Sequence, residues 1–436
     1  MSRKVPFDTL TDAELKEMSD DLEISQEASK YAFNQRPKKI PLYATDESNV
    51  YIPFAYKKKY PRPNRENLAS ISAEFVGTLR PEQKEVKTEA IKSLNNIGAV
   101  MISCYCGFGK TISSICIATK LNLRVLIICN RIVLLNQWKN AINTFCPNST
   151  VSILGGKNKN KNLADFNLIN ATNVPKLNKN FYSSIGTLIV DEAHLILAEK
   201  LSKCMQYIIP RYIIGLSATP YRMDGLNALF DLYFGREKII RKLFRKHTVY
   251  KLQTSFRPES KTNIMGKLDW GSILESQCND TERNELILKI IKTYQDRVFL
   301  VLCKRVEQAK YLVQRLQEEK EDVTSLIGSN QTYTQSSRIL IGTVQKAGTG
   351  FDHPRLNAMI LASDVEQYFV QYLGRVFRRQ DTEPVIFDLV DRHYVLEKHF
   401  ETRQAIYEEH GGEINIMDEN LTISGPNRII RKKKSE

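Results

Sequence analysis

A glycine-containing turn that ends in lysine and threonine is the first candidate for phosphate chemistry. Residues 104–111 read Cys-Tyr-Cys-Gly-Phe-Gly-Lys-Thr and stand between an apolar run typical of a strand and a segment that predicts a helix. The two glycines let backbone amides approach phosphate oxygens, the lysine would reach the β- and γ-phosphates, and the threonine hydroxyl would bind Mg²⁺. We therefore predict a P-loop nucleotide site, in which a cysteine replaces the first glycine of the general motif. Its residues are Cys104, Tyr105, Cys106, Gly107, Phe108, Gly109, Lys110 and Thr111.

Two adjacent carboxylates, Asp191 and Glu192, directly follow another apolar run, residues 187–190. A carboxylate at a strand end beside a P-loop can hold a hydrated Mg²⁺, which suits Asp191. Glu192 can then polarise the attacking water as a general base. An acidic loop without a catalytic role is the alternative. The P-loop upstream favours the hydrolytic interpretation.

Three short motifs occur in a fixed order along the first half of the chain. Residues 107–111 fit GxGKT, residues 191–194 read Asp-Glu-Ala-His, and residues 217–219 read Ser-Ala-Thr. This set resembles superfamily 2 helicases with a DEAH box. Residues 215–222, Gly-Leu-Ser-Ala-Thr-Pro-Tyr-Arg, are similar to the branch that contains XPB, UvsW and the poxvirus transcript-release helicase. The resemblance implies that four residues couple hydrolysis to domain movement: His194, Ser217, Ala218 and Thr219.

Two further segments resemble motifs of the same branch. Residues 79–83, Leu-Arg-Pro-Glu-Gln, are similar to its adenine-recognition element, which implies that Gln83 reads the adenine edge and that Arg80 assists. A polar helix start explains these residues equally well. Residues 136–138, Asn-Gln-Trp, resemble a motif whose region contacts the nucleic-acid backbone. We interpret Trp138 as a core aromatic residue in preference to a direct contact.

The second half of the chain carries two more motifs. Gly350 and Asp352 belong to a glycine-rich loop, residues 348–352, in which the carboxylate can accept a ribose hydroxyl. Residues 371–378 match QxxGRxxR, the last motif of the family, and the resemblance places Gln371 among the coupling residues. If this segment is helical, Arg375 and Arg378 lie on one face. They would act as arginine fingers on the γ-phosphate, whereas paired basic residues alone would indicate a solvated face.

Short apolar runs separated by longer helix-compatible stretches predict the elements that position these residues. Alternation of this kind favours α/β layers on parallel sheets. The first set of strands is Ala99–Ser103, Arg124–Cys129, Thr187–Val190 and Tyr212–Ser217, and the second is Arg297–Cys303, Arg338–Thr343, Ala358–Ala362 and Pro384–Leu389. The predicted fold class is α/β, with two tandem RecA-like domains and a small N-terminal accessory segment.

The predicted domain limits follow these patterns. The accessory region covers residues 1–75, with little regular core, and the first RecA-like domain, which binds ATP, covers residues 76–235. A connection, residues 236–280, leads to the second RecA-like domain, residues 281–410, and the chain ends in a basic tail, residues 411–436.

Composition restricts the partners and the compartment. Lys and Arg number 63 against 49 Asp and Glu, a formal charge of +14, which favours polyanions such as nucleic acid or reflects a solvated basic surface. The eight cysteines form no CxxC pair, which indicates free thiols in a reducing compartment, and the histidines form no metal constellation. No signal peptide or membrane span is evident. We expect a soluble intracellular protein, in the host cytoplasm or nucleus or in the virion if it is viral.

The inferred cofactors are ATP and Mg²⁺, and the inferred partner is nucleic acid, with DNA favoured over RNA and the transcription machinery as a further candidate. The predicted function is an ATP-dependent helicase or translocase acting in transcription, repair or recombination. An RNA helicase, an ATP-switched clamp or scaffold subunit, and a P-loop nucleotide kinase remain the alternatives. A hydrolytic set composed of Glu192, Arg375 and Arg378 argues against the switch, and QxxGRxxR argues against the kinase.

Overall fold

The computed structural model describes most of the 436 residues, and its contacts divide the chain into two compact units. The described residues are 2–25, 39–57, 59–105, 107–155, 163–196, 208–218, 227–263, 266, 268–328, 332–347, 351, 353–365, 369–379 and 381–426. The first unit comprises residues 1–104 and 108–241, and the main part of the second comprises residues 242–436. The predicted sites Cys106, Thr219, Gly350 and Asp352 and residues 427–436 of the predicted basic tail lie outside the described residues.

The first unit begins with a small sheet and a helix and continues as an α/β domain. Its described strands are β1 (Ser2–Pro6), β2 (Glu23–Ser25), β3 (Lys39–Pro41), β4 (Ala44–Thr45), β5 (Asn49–Pro53), β6 (Ala99–Cys104), β7 (Val125–Cys129), β8 (Val151–Leu154), β9 (Phe166–Asn170), β10 (Thr187–Val190), β11 (Tyr212–Ser217) and β12 (Lys238–Arg241). Its described α-helices are α1 (Asp12–Leu22), α2 (Pro81–Asn96), α3 (Lys110–Leu121), α4 (Ile132–Phe145), α5 (Ala193–Ile196) and α6 (Ala228–Phe234).

Seven of these strands form one parallel sheet in the order β12-β6-β11-β10-β7-β9-β8. All residues of β6, β7 and β10 are buried, as expected for strands covered on both faces. The order places β6, β11 and β10 side by side. Because parallel strands end at the same edge, the residues that follow these three strands meet at one edge of the sheet.

The N-terminal region has more regular structure than the sequence predicts. Its sheet has the order β1-β5-β4, and Ile52 and Phe54 belong to the same buried cluster as residues of the seven-stranded sheet. The guanidinium of Arg3, 3% exposed, donates to the carbonyls of Lys57 and Tyr60 at 2.9 and 2.5 Å. The expectation of little regular core in this region is therefore wrong, because its apolar residues share the core of the first unit.

The second unit is also an α/β domain. Its described strands are β13 (His247–Gln253), β14 (Lys261–Thr262), β15 (Leu268–Asp269), β16 (Phe299–Cys303), β17 (Val323–Leu326), β18 (Ile339–Thr343), β19 (Ala358–Leu361), β20 (Val385–Val390), β21 (Gly412–Met417) and β22 (Ile423–Pro426). Its described α-helices are α7 (Trp270–Asn279), α8 (Thr281–Thr293), α9 (Val306–Glu318), α10 (Val344–Ala347), α11 (Phe369–Val376) and α12 (Tyr394–Glu409).

The main sheet of this unit has the order β17-β18-β16-β19-β20-β13-β21-β22, parallel except for the last pair. The predicted fold class, α/β with parallel sheets, is confirmed. Two strands lie where the sequence predicts a basic tail: β21 pairs with β13 and β22 pairs with β21. Residues 412–426 therefore extend the second sheet. Within the described ranges, no helix is long and apolar enough to cross a membrane.

Candidate nucleotide-binding and hydrolytic site

The P-loop connects the end of β6 to the start of α3. Gly107 and Gly109 have φ of 89° and 88°, in the left-handed region that glycine adopts without strain. Gly109 is the residue before α3, and a β-carbon there would collide with the amide of Gln83. Because the first amides of a helix have no intrahelical partner, the start of α3 is suited to bind phosphate oxygens.

Lys110 is the first residue of α3, and its Nζ donates to the carbonyl of Cys104 at 2.7 Å. This contact holds the ammonium group at the carbonyl end of β6, where the P-loop begins. Thr111 follows and is half-buried. Cys104 is fully buried, and burial raises the pKa of its thiol to about 11. The residue that replaces the first glycine of the motif is thus a neutral, packed side chain.

The predicted adenine-recognition residues are attached to the P-loop. α2 begins at Pro81, directly after Arg80. The side-chain oxygen of Gln83 accepts from the backbone N–H of Arg80 at 2.8 Å, and its amide nitrogen donates to the carbonyl of Phe108 at 2.8 Å. The guanidinium of Arg80 donates to the same carbonyl. The structure thus brings both residues to the loop, while their role in adenine recognition stays a prediction.

Asp191 lies at the end of β10 with a donor on each carboxylate oxygen. The indole Nε1 of Trp138, on α4, donates to Oδ2 at 2.8 Å, and the backbone N–H of Glu192 donates to Oδ1 at 3.0 Å. Burial and the neighbouring charge of Glu192 raise the pKa of Asp191 to about 6, against the lowering effects of the Trp138 hydrogen bond and the Lys110 charge. The carboxylate therefore has a fixed orientation and a marked preference for a cation partner.

Glu192 has φ of 49°, a left-handed conformation that is uncommon for a residue with a β-carbon. Its Oε2 lies 3.5 Å from Nδ1 of His194, and the same ring nitrogen lies 2.9 Å from Oγ of Ser217. His194 and Ser217 are both buried. Ala218 follows β11 and is half-buried. The side chains of Glu192, His194 and Ser217 therefore form one chain of polar contacts, while their roles in hydrolysis and coupling stay predictions.

A Mg²⁺ ion fits the oxygen ligands at this edge of the sheet. Thr111 could offer a hydroxyl and Asp191 a carboxylate, and each Asp191 oxygen keeps lone pairs beyond its one described donor. Mg²⁺ in phosphate-binding sites takes few protein ligands and completes its shell with water and phosphate. Across the described residues, no group of three or more His, Cys, Asp and Glu side chains forms another metal centre.

The last sequence motif lies on and after α11 in the second unit. Gln371 is buried. Arg375 Nη1 donates to the carbonyl of Phe351 at 2.8 Å, and the guanidinium lies 4.9 Å from the centroid of the Phe351 ring. α11 ends at Val376, so Arg378 is outside the helix. A helix that reaches Arg378 was the condition for both arginines to share one face, and this condition is not met, while their role as arginine fingers stays a prediction. Phe377, the residue after the helix, has its ring 4.6 Å from that of His247.

One contact of the site was missed by the sequence analysis. Trp138 is 1% exposed, as expected for a core aromatic residue, but its N–H reaches the predicted metal ligand Asp191. A signal was present, because a buried indole N–H requires an acceptor. The sequence does not indicate which acceptor, since 53 residues separate the two partners.

Comparisons with known proteins find similar helicase sequences. The family model described as "Type III restriction enzyme, res subunit" matches residues 77–222. The chain is 42% identical over 407 residues to "Putative helicase 161L" of Invertebrate iridescent virus 6, covering 87% of this chain and 92% of that protein. It is 33% identical over 366 residues to "Putative helicase 055L" of Frog virus 3, covering 82% and 84% respectively.

A more distant relative and a solved structure extend the comparison. The DNA 3'-5' translocase XPB2 of Sulfurisphaera tokodaii is 22% identical over 367 residues, covering 71% of this chain and 82% of that protein. The structure of S. cerevisiae Dbp5 bound to RNA and ADP BeF3 covers 78% of this chain and 94% of its own, with a TM-score of 0.55 and 14% identity. At that identity the likeness concerns the fold, which in Dbp5 is a pair of RecA-like domains.

Proposed function

The chain belongs to the superfamily 2 helicases of large DNA viruses, and we propose that it is a motor that moves along duplex DNA at the expense of ATP. The observation that carries the proposal is the placement of Lys110, Asp191 and Ser217 by three adjacent strands. The side chain of Lys110 contacts the last residue of β6, Asp191 directly follows β10, and Ser217 ends β11. An ATPase needs a phosphate cradle, a metal ligand and a means of sensing hydrolysis, and these three residues supply one element each.

The proposed nucleotide chemistry is hydrolysis of the γ-phosphate by water. Lys110, whose ammonium now donates to the Cys104 carbonyl, would bind the β- and γ-phosphates. Thr111 and Asp191 would hold Mg²⁺, which would neutralise charge on the phosphate oxygens. Glu192 accepts a proton from the attacking water, and the products are ADP, inorganic phosphate and that proton. The contacts from Glu192 through His194 to Ser217 support a role for these residues in reporting the state of the γ-phosphate to the rest of the protein.

We assign the arginine fingers to the second unit. Arg375 is supported by the carbonyl and the ring of Phe351, which limits the freedom of its guanidinium. Arg378 lies past the end of α11, where its side chain is not restricted to the helical face of Arg375. Arg375 lies on the helix and Arg378 lies after its end. Their guanidiniums can therefore approach two different phosphate oxygens more readily than two guanidiniums on one helical face could.

The choice of DNA rests on kinship and charge. The distant relative XPB2 is named as a DNA translocase, and this chain shares motifs with the same branch. A formal charge of +14 suits binding to a phosphate backbone, which is insensitive to base sequence. A motor of this kind would serve transcription, repair or recombination, where protein or nucleic-acid obstacles must be cleared from duplex DNA.

The deciding experiment compares ATP hydrolysis with duplex DNA, single-stranded DNA, branched DNA and RNA at equal nucleotide concentration and one salt concentration. We expect the largest stimulation with duplex or branched DNA, and displacement of a third strand from a DNA triplex in the presence of ATP. The Glu192→Gln variant, purified in the same way, should show neither and thereby excludes a contaminating ATPase. Stimulation by RNA alone would overturn the DNA assignment and favour an RNA helicase.

A further inference from the structure

We propose that Trp138 is a positioning residue of the hydrolytic site, which fixes the metal-binding carboxylate of Asp191 through its indole N–H. The inference rests on the proposed function, because it takes Asp191 to be a Mg²⁺ ligand. It assigns a role in ATP hydrolysis to α4, a helix that contributes no other residue to the predicted nucleotide site. Groups that orient metal ligands in this way affect metal affinity or activity by about 10- to 100-fold.

The geometry of the contact supports positioning over simple packing. Nε1 of Trp138 lies 2.8 Å from Oδ2 of Asp191, within the range of a well-formed hydrogen bond. The indole is 1% exposed, so water cannot replace the carboxylate as its acceptor. A tryptophan that served only to fill space would not need its single polar side-chain atom directed at the carboxylate of Asp191, the first residue after β10.

Each of the two carboxylate oxygens of Asp191 accepts a hydrogen bond. Oδ2 accepts from Trp138, and Oδ1 accepts from the backbone N–H of Glu192 at 3.0 Å. The second donor belongs to the main chain and is present whatever the side chain at position 192. Trp138 is therefore the only side-chain donor to Asp191 in the described part of the chain. Without it, the carboxylate can rotate about its Cβ–Cγ bond and lose the orientation that a Mg²⁺ shell requires.

The neighbouring elements explain why α4 can reach this position. β7 lies beside β10 in the sheet, and α4 begins three residues after β7 ends. Leu134, Leu135 and Ile142 are buried on the same helix, and they fix its rotation. Trp138 is four residues after Leu134, so it shares the buried face and points toward the strand that carries Asp191.

The chain contains two tryptophans, which gives a matched control. Trp138→Phe keeps an aromatic ring and removes the N–H, while Trp270→Phe makes the same exchange in the second unit, where Trp270 packs against His399. We expect Trp138→Phe to raise the Mg²⁺ concentration needed for half-maximal ATP hydrolysis by about tenfold, with a smaller change in the KM for ATP at saturating Mg²⁺. Mn²⁺ should restore part of the rate. Trp270→Phe should leave the Mg²⁺ requirement unchanged.

A second measurement does not depend on turnover. In the Trp270→Phe variant, Trp138 is the only indole, so its fluorescence should change when Mg²⁺ is added to the protein with ADP, and this change should disappear in the double variant with Asp191→Asn. If Trp138→Phe does not fold, a benzothienylalanine at position 138, which has the shape of tryptophan without the N–H, takes its place. A Mg²⁺ requirement within twofold of the unmodified protein in a folded variant would overturn the proposal.

The two proposals fail in different ways. If no nucleic acid stimulates hydrolysis, the motor function is wrong, but the Mg²⁺ dependence of basal hydrolysis and of ADP binding still tests Trp138. If hydrolysis responds to DNA as expected and Trp138→Phe has the same Mg²⁺ dependence as Trp270→Phe, only the role of Trp138 is wrong.

Discussion

Replacement of Glu192 by glycine is expected to stabilise the first unit while it abolishes ATP hydrolysis. Glu192 occupies the left-handed backbone region with φ of 49°, and it is the residue assigned as general base. The conformation places its side chain beside Asp191 and His194 at a cost in backbone energy. Strain of this kind is typical of catalytic positions, where the surrounding structure maintains it.

The expected gain in the free energy of unfolding follows from a comparison of glycine with glutamine at position 192. Both variants remove the charge that raises the pKa of Asp191, so both relieve the same repulsion. Only glycine also removes the β-carbon, whose presence in the left-handed region costs about 1–2 kcal/mol. Glycine adds about 0.5–1 kcal/mol of chain entropy to the unfolded state. Near the middle of both ranges, the net advantage of Glu192→Gly over Glu192→Gln is therefore about 0.5–1 kcal/mol.

Differential scanning calorimetry and phosphate release from the same preparations provide the assay. A gain of about 0.5–1 kcal/mol corresponds to a rise of about 1–4 °C in the melting temperature of a unit of this size. Asn122→Gly is the matched control, because Asn122 has φ of 53° on an exposed helix end away from the site, and asparagine tolerates that region. It should change neither melting nor turnover. If Glu192→Gly melts at or below Glu192→Gln, the strain argument is refuted. If either retains normal turnover, Glu192 is not the base.

Further expectations concern the P-loop, the second unit and pH. Lys110→Ala should lower ATP turnover by about 100-fold or more. Its melting temperature should shift by only a few degrees, because the described hydrogen bond that it removes is worth about 1 kcal/mol. Near-normal turnover in a folded variant would contradict the assignment. Arg375→Lys and Arg378→Lys should each reduce phosphate release by about 1000-fold with little change in fluorescent-ATP affinity, and normal hydrolysis with DNA and RNA would reject the finger role. Burial lowers the pKa of His247 to about 4, and its Nδ1 lies 2.7 Å from the Arg245 carbonyl. Stability of the second unit should therefore fall by up to about 3 kcal/mol as pH drops from 6.5 to 4, and urea titrations should show a smaller loss in His247→Gln.

The sequence predicted the local parts of the site because they depend on neighbouring residues. Strand, turn and helix start are all readable around Lys110, and the apolar run before Asp191 is continuous. The predicted strands of both sheets are present, with starts that differ by two residues at most. The local pattern left open whether the helix of the QxxGRxxR motif reaches Arg378, and in the structure α11 ends at Val376.

Three strands of the second sheet lie in segments where the sequence analysis predicted no strand. β13 lies in the predicted connection, and β21 and β22 lie in the predicted tail. Residues 412–417 read Gly-Glu-Ile-Asn-Ile-Met, a short alternation of polar and apolar side chains that is typical of a half-buried strand and that the prediction of a basic tail did not take into account. Only the structure shows which partner this strand takes, because β21 pairs with the parallel edge of β13.

By itself, the sequence determined which residues can bind a nucleotide and that they follow buried strands, because apolar runs and glycine turns act over a few residues. Only the tertiary structure decided the strand order, in which β10 lies between β11 and β7. That order brings Glu192 close to Ser217 through His194 and brings Trp138 to the Asp191 carboxylate. The reason is physical: a buried parallel strand is apolar on both faces, so its composition specifies burial but not which strand lies beside it.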